Sequence, residues 1–146
     1  MDILFCRAAV ARRTALAAML AGLCPLSGLA DPGPRVFFLA PRDGAVLSNP
    51  VEVRFGLEGM TIGSVGDLSP GRGHHHLLID APPVPAGQMI PADDRHLHFG
   101  GGQTAAVVRL SPGKHTLTLQ FGNGVHQSYG PQMSQTITID VDYAGP

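Results

Sequence analysis

"VEVRFGL" at residues 51–57 decides the fold class. Val51, Val53, Phe55 and Leu57 alternate with Glu52, Arg54 and Gly56. A period of two puts the apolar set on one side of an extended chain and the polar set on the other, whereas a helix needs spacings of three and four. Pro50 opens the run, and Gly59 follows it. It reads as a half-buried strand.

The same reading extends in both directions. "RVFFLA" (35–40) is a short apolar strand, and "PRDG" (41–44) turns the chain at Asp43-Gly44. "HHHLLID" (74–80) is a strand. "HLHF" (96–99) and "TAAVVRL" (104–110) flank Gly100, Gly101, Gly102 and Gln103 and read as a hairpin. "SPG" (111–113) leads into "KHTLTLQF" (114–121), and "QMSQTITIDV" (132–141) closes the series. Residues 58–73, 81–95 and 122–131 are loops rich in Gly or Pro, within a chain that carries 19 Gly and 13 Pro. The expected fold is all-β: an immunoglobulin-like antiparallel β-sandwich of about seven strands, with an open barrel or jelly roll as alternatives. No internal repeat is present.

The N-terminus reads as a signal peptide over residues 1–30. Arg7, Arg12 and Arg13 precede the apolar run "TALAAMLAGLCPL", and Gly28 and Ala30 stand where a signal peptidase reads small residues. Cleavage is expected before Asp31, leaving residues 31–146 as a single β-sandwich domain. A membrane anchor is disfavoured because the uncharged run is short and Pro25 interrupts it. Leu23 before Cys24 argues against a lipoprotein. "ARRTAL" is a partial twin-arginine match with Ala15 where a bulky apolar residue is usual, so the export route stays open. The expected location is periplasmic or secreted. Both cysteines, Cys6 and Cys24, fall in the leader, so the mature chain has neither disulfide nor thiol chemistry. The net charge is −1 with no basic or acidic run, which argues against a nucleic-acid partner and against an electrostatic membrane patch.

Seven histidines remain, and parity sorts them. His74 and His76 share one face of their strand with Leu78 and Asp80, while His75 goes with Leu77 and Ile79 and reads as structural. His96 and His98 share a face opposite Leu97 and Phe99. Two imidazoles two residues apart reach one ion, because nitrogen ligands sit roughly 2 Å from it. If the two strands are neighbours, about 4.8 Å apart, four imidazoles converge. The expected metal ligands are therefore His74, His76, His96 and His98, with His126 in the following loop as an auxiliary. Copper comes first and zinc second. The plain alternative is a polar, exposed strand face. The connection 81–95 bears on the choice: as a crossover it would separate the two pairs. Neutral imidazole is needed for ligation, so uptake is expected to weaken below roughly pH 6.5.

Other residues read more plainly. His115 alternates with Leu117, Leu119 and Phe121 and suits a corner residue that hydrogen-bonds nearby backbone. Met60, Met89 and Met133 are thioethers suited to Cu(I), and Met133 shares parity with Ile137 and Ile139, as core does. Asp93 and Asp94 read as a solvated loop rather than as partners orienting an imidazole. "GGGQT" lacks the Lys-Ser/Thr ending of a phosphate loop and precedes a strand. No catalytic triad is recognisable by spacing, so no catalytic residue is assigned.

"PRDGAVLSNPVEVRFGLEGM", "GHHHLLID", "IPADDRHLHFGGGQT", "LSPGKHTLTL" and "MSQTITI" together resemble a bacterial exported family, domain of unknown function 4399, from about Arg35 to Val141. The resemblance implies an exported single domain and adds no activity. It also implies a second histidine before "MS", where this chain has Tyr129. Three functions follow as expectations. The first is an exported protein that carries or buffers a transition metal. The second is an envelope interaction module with structural histidines and another envelope protein as partner. The third is a copper redox enzyme with superoxide-dismutase-like chemistry, so enzymatic activity is left uncertain and is the less favoured reading.

Overall fold

The computed structural model describes residues 33–142. The expected leader over residues 1–30 and its cleavage point lie outside the described residues. Among the described residues nine strands follow one another: β1 (Arg35–Ala40), β2 (Val46–Leu47), β3 (Val51–Glu58), β4 (Thr61–Ile62), β5 (Arg72–Ile79), β6 (His96–His98), β7 (Ala105–Val108), β8 (Gly113–Gly122) and β9 (Ser134–Val141). One 3₁₀ turn, Pro131–Met133, precedes β9. Among the described residues no helix is long and apolar enough to cross a membrane.

Two sheets form an all-β sandwich. One has the order β1-β3-β7; the other runs β2-β9-β8-β5-β4, with β6 paired to β5. This is the immunoglobulin-like arrangement, strands A-B-E facing G-F-C. The alternation in β3 is realised: Val51, Val53 and Phe55 are buried and Glu52 and Arg54 exposed. They meet Leu77, Leu117, Leu119 and Phe121 of the larger sheet, with Met133, Ile137 and Ile139 completing the core. β5 is paired along both edges, by β8 on one side and β6 and β4 on the other, and is buried on both faces because its inner face packs in the main core while the 81–95 connection covers its outer face. That cover is hydrogen-bonded down: Val84 N donates to Gln120 Oε1 (2.8 Å), and Gln120 Nε2 donates to the Val84 carbonyl (2.8 Å). Leu78, Ala81 and Ile90 form a second small core beneath it.

Three features differ from the sequence reading. "HLHF" and "TAAVVRL" are not a hairpin: β6 pairs with β5 in one sheet and β7 with β3 in the other. The glycines at 100–102 carry the chain between sheets, since Phe99 N donates to the His75 carbonyl (3.1 Å) while Phe55 N donates to the Thr104 carbonyl (2.8 Å). Secondly, β2 and β4 are two-residue strands that pair in parallel, too short for periodicity to register. Thirdly, the 81–95 connection is a cover and not a crossover, so β5 and β6 are direct antiparallel neighbours with His76 opposite His98.

Candidate metal centre

Register places the site. On the outer face of β5, His74 and His76 project side by side, and His98 on β6 stands across from His76. One nitrogen from each of His74, His76 and His98 lies within 4.8 Å of the others. His126 joins from the loop after β8: its Nε2 is 3.0 Å from His98 Nε2, and His98 Nε2 is 2.9 Å from His74 Nε2. His126 stands at the rim, close to His98 but outside the group of three that is mutually within reach. Two nitrogens each about 2.0–2.1 Å from one ion are about 2.9 Å apart at a right angle and about 3.4 Å at the tetrahedral angle. The His74–His98 and His98–His126 separations are of that size.

Hydrogen bonding alone serves these rings badly. A neutral imidazole has one N–H and one lone pair, yet His98 Nε2 meets the Nε2 atoms of both His74 and His126, so its single N–H or lone pair must be shared between two partners or left mismatched with one. His74 Nδ1 and both ring nitrogens of His76 are buried without any partner. An unsatisfied buried polar atom costs about 1–3 kcal/mol. A shared cation satisfies several of these nitrogens at once, and the donor set therefore fits a metal ion.

Burial sets the protonation state. It pushes His74 down to about 4, with the nearby His98 and His126 rings adding to the shift. His76 is driven lower still by the same burial and by four neighbouring histidines, and His98 is also lowered, by burial first and then by His126. His74 and His76 are therefore neutral, and so ready to ligate, well below pH 6.5, and His98 is shifted in the same direction.

Two glycines make room for the rings. A Cβ at Gly100 would lie 2.5 Å from His98 Cε1 and 2.6 Å from its Nε2. At Gly122 a Cβ would come within 3.0 Å of His76 Nε2. Gly100→Ala is expected to displace the His98 ring and lower metal affinity about tenfold or more, the range for losing a group that orients a ligand. Calorimetric titration against an unchanged far-ultraviolet circular dichroism spectrum checks this; unaltered affinity would refute it.

His96 is the exception among the expected ligands. It sits opposite Leu78, two pairs further along the ladder, and its Nδ1 donates to Asp93 Oδ1 at 2.7 Å. The structure separates it from the other four. Asp93 does orient an imidazole, contrary to the solvated-loop reading, but that of His96. The His96 contact is also the leading cause that holds the Asp93 carboxyl below its usual range. His75 faces inward as parity indicates, its ring between Phe55 (5.2 Å) and Phe121 (5.3 Å). His115 is a corner residue: Nδ1 donates to Asp80 Oδ2 (2.7 Å) and Nε2 to the Ser111 carbonyl (2.8 Å). Burial opposes its charge, but these two acceptors prevail and its pKa is raised. Tyr129 is turned away from the cluster, its hydroxyl donating to the Arg72 carbonyl (2.7 Å).

A cavity of about 340 Å³ opens beside the rings, lined by His76, His98 and His126 together with Val65, Met89, Ile90, Pro91 and Ala92. Sequence periodicity gives no sign of this wall, because the 81–95 segment has none. His126 adopts a left-handed backbone, φ 65°, uncommon outside glycine. Asn123 Oδ1 holds its loop by accepting from Val125 N and Gln127 N.

A family model described as a domain of unknown function, DUF4399, matches residues 53–142. No curated protein and no solved structure matches the chain.

Proposed function

Because the chain belongs to the domain of unknown function 4399 family, its activity has to be read from the site itself, and we propose that the site binds a transition metal ion, copper ahead of zinc. In this reading the protein is exported, its first 30 residues are removed, and it carries or buffers the ion outside the cytoplasm. His74, His76 and His98 hold the metal and His126 completes or releases it. One observation carries the reading: three nitrogens within mutual reach of one ion, with buried ring nitrogens of His74 and His76 left without partners. An all-imidazole set suits copper and zinc and is a poor site for magnesium or calcium, which take oxygen.

The test uses tag-free protein recovered from the periplasmic fraction. Elemental analysis should find copper or zinc near one equivalent, and intact mass should correspond to a chain starting near Asp31. After chelation, Cu(II) or Zn(II) should rebind with one-to-one stoichiometry and raise the melting temperature, since a ligand at a hundredfold excess over Kd stabilises by about 2.7 kcal/mol. No uptake would overturn the metal reading in favour of an envelope interaction module. A mass retaining Cys6 and Cys24 would overturn the export reading.

A further inference from the structure

We propose that the centre takes copper as Cu(I), and that Met89 closes it as a thioether ligand. This deepens the metal reading above and rests on it.

Of the three thioethers described here, two are committed elsewhere. Met133 is buried in the main core and Met60 packs against it. Met89 is 63% exposed, an unusual position for a large apolar side chain, and it lines the same cavity as His76, His98 and His126. Its backbone is fixed next to the fourth histidine. Met89 bridges to Gln127, Ile90 N donates to the His126 carbonyl (2.8 Å), and Ser128 N donates to the Gln88 carbonyl (2.9 Å). Residues 88–90 thus run antiparallel to 126–128. Ile90, 3% exposed, anchors the segment. The main chain is held while the Met89 side chain is free, and an unbranched thioether with three rotatable bonds reaches a neighbouring ion by rotation alone.

Charge points the same way. The metal-capable group contains no carboxylate, and the cavity lining apart from the rings is apolar. A dication there keeps both charges in a poorly solvated place. Desolvation cost grows with the square of the charge, so a monocation incurs about a quarter of it. Neutral nitrogen and sulfur donors are what soft Cu(I) selects.

The test compares tag-free wild type with Met89→Leu, which keeps volume and removes sulfur. Cu(I) affinity is measured anaerobically by competition with bicinchoninate, Zn(II) affinity by a chromophoric chelator, and folding by circular dichroism. Met89→Leu should weaken Cu(I) about tenfold or more while leaving Zn(II) within about twofold. X-ray absorption of Cu(I)-loaded wild type should show sulfur at about 2.3 Å, absent from the variant. Equal Cu(I) affinities together with no sulfur scatterer would overturn the proposal while Zn(II) binding left the histidine site standing. A wild type that binds neither ion would overturn both.

Discussion

His76→Ala is expected to lower metal affinity by more than about a hundredfold. A buried ligand nitrogen disappears from a set of three, and nothing beside it replaces the bond. His98→Ala should do the same, because His98 is the ring that meets both His74 and His126. The double variant should lose less than the sum, since the second change acts on a site already broken. His96→Ala is the internal control and should leave affinity within about twofold, its ring being engaged with Asp93. Competition titration of the four proteins decides. Additive losses at His76 and His98 would mean two separate surface sites, and a large loss at His96 would mean that its ring swings into the cluster on binding.

The metal-free protein should lose several kcal/mol of stability between pH 7 and pH 4. His74 and His75 are pushed by burial from 6.5 to about 4. Between those values the unfolded chain binds protons that the folded chain refuses, so stability rises with pH. It is present in full above 6.5 and lost as pH falls towards 4. A shift of that size is worth about 3 kcal/mol for one isolated group; the neighbouring rings interact, so their contributions do not add. His115 runs the other way: its raised pKa gives stability that is present in acid and lost as pH rises through it. Being partly solvated, it is the smaller effect. Urea unfolding at pH 7 and pH 5 checks the balance. His75→Leu removes two buried, unpartnered nitrogens from between Phe55 and Phe121. It should flatten the acid limb and leave metal affinity unchanged. A urea midpoint that does not move between pH 7 and pH 5 would contradict the burial argument. The same burial moves the expected weakening of metal uptake from just below pH 6.5 to lower pH.

The fold was legible where one face of a strand is wet. β3 alternates cleanly because its outer face meets solvent, and parity there fixed both the strand and the inward face. β5 carried less information, being buried on both sides. Only the position of Leu77 beside His75 indicated which histidines face the main core. Parity then put His74 and His76 together but could not place His96 and His98 relative to them. That depends on β6 pairing with β5, and so on a proline-rich segment folding as a cover. His96 was misjudged because same-face parity says nothing about displacement along the strand. Gly100 was read as a turn residue, whereas its missing Cβ accommodates the His98 ring. No periodicity expresses a glycine selected by the histidine ring two residues before it.

The histidines of the cluster come from three stretches of chain: His74 lies 24 residues before His98, and His98 lies 28 before His126. An ion held by all three ties two loops shut. Closing such loops removes conformations from the unfolded chain much as a covalent cross-link does, and the entropy at stake grows only slowly with loop length. β6 gains most, as a three-residue strand paired, among the described strands, with β5 alone. The centre would then act as a reversible staple, fastened by the ion and released by a chelator. Hydrogen exchange at Leu97 and Phe99, whose amides face β5, would report whether it is shut.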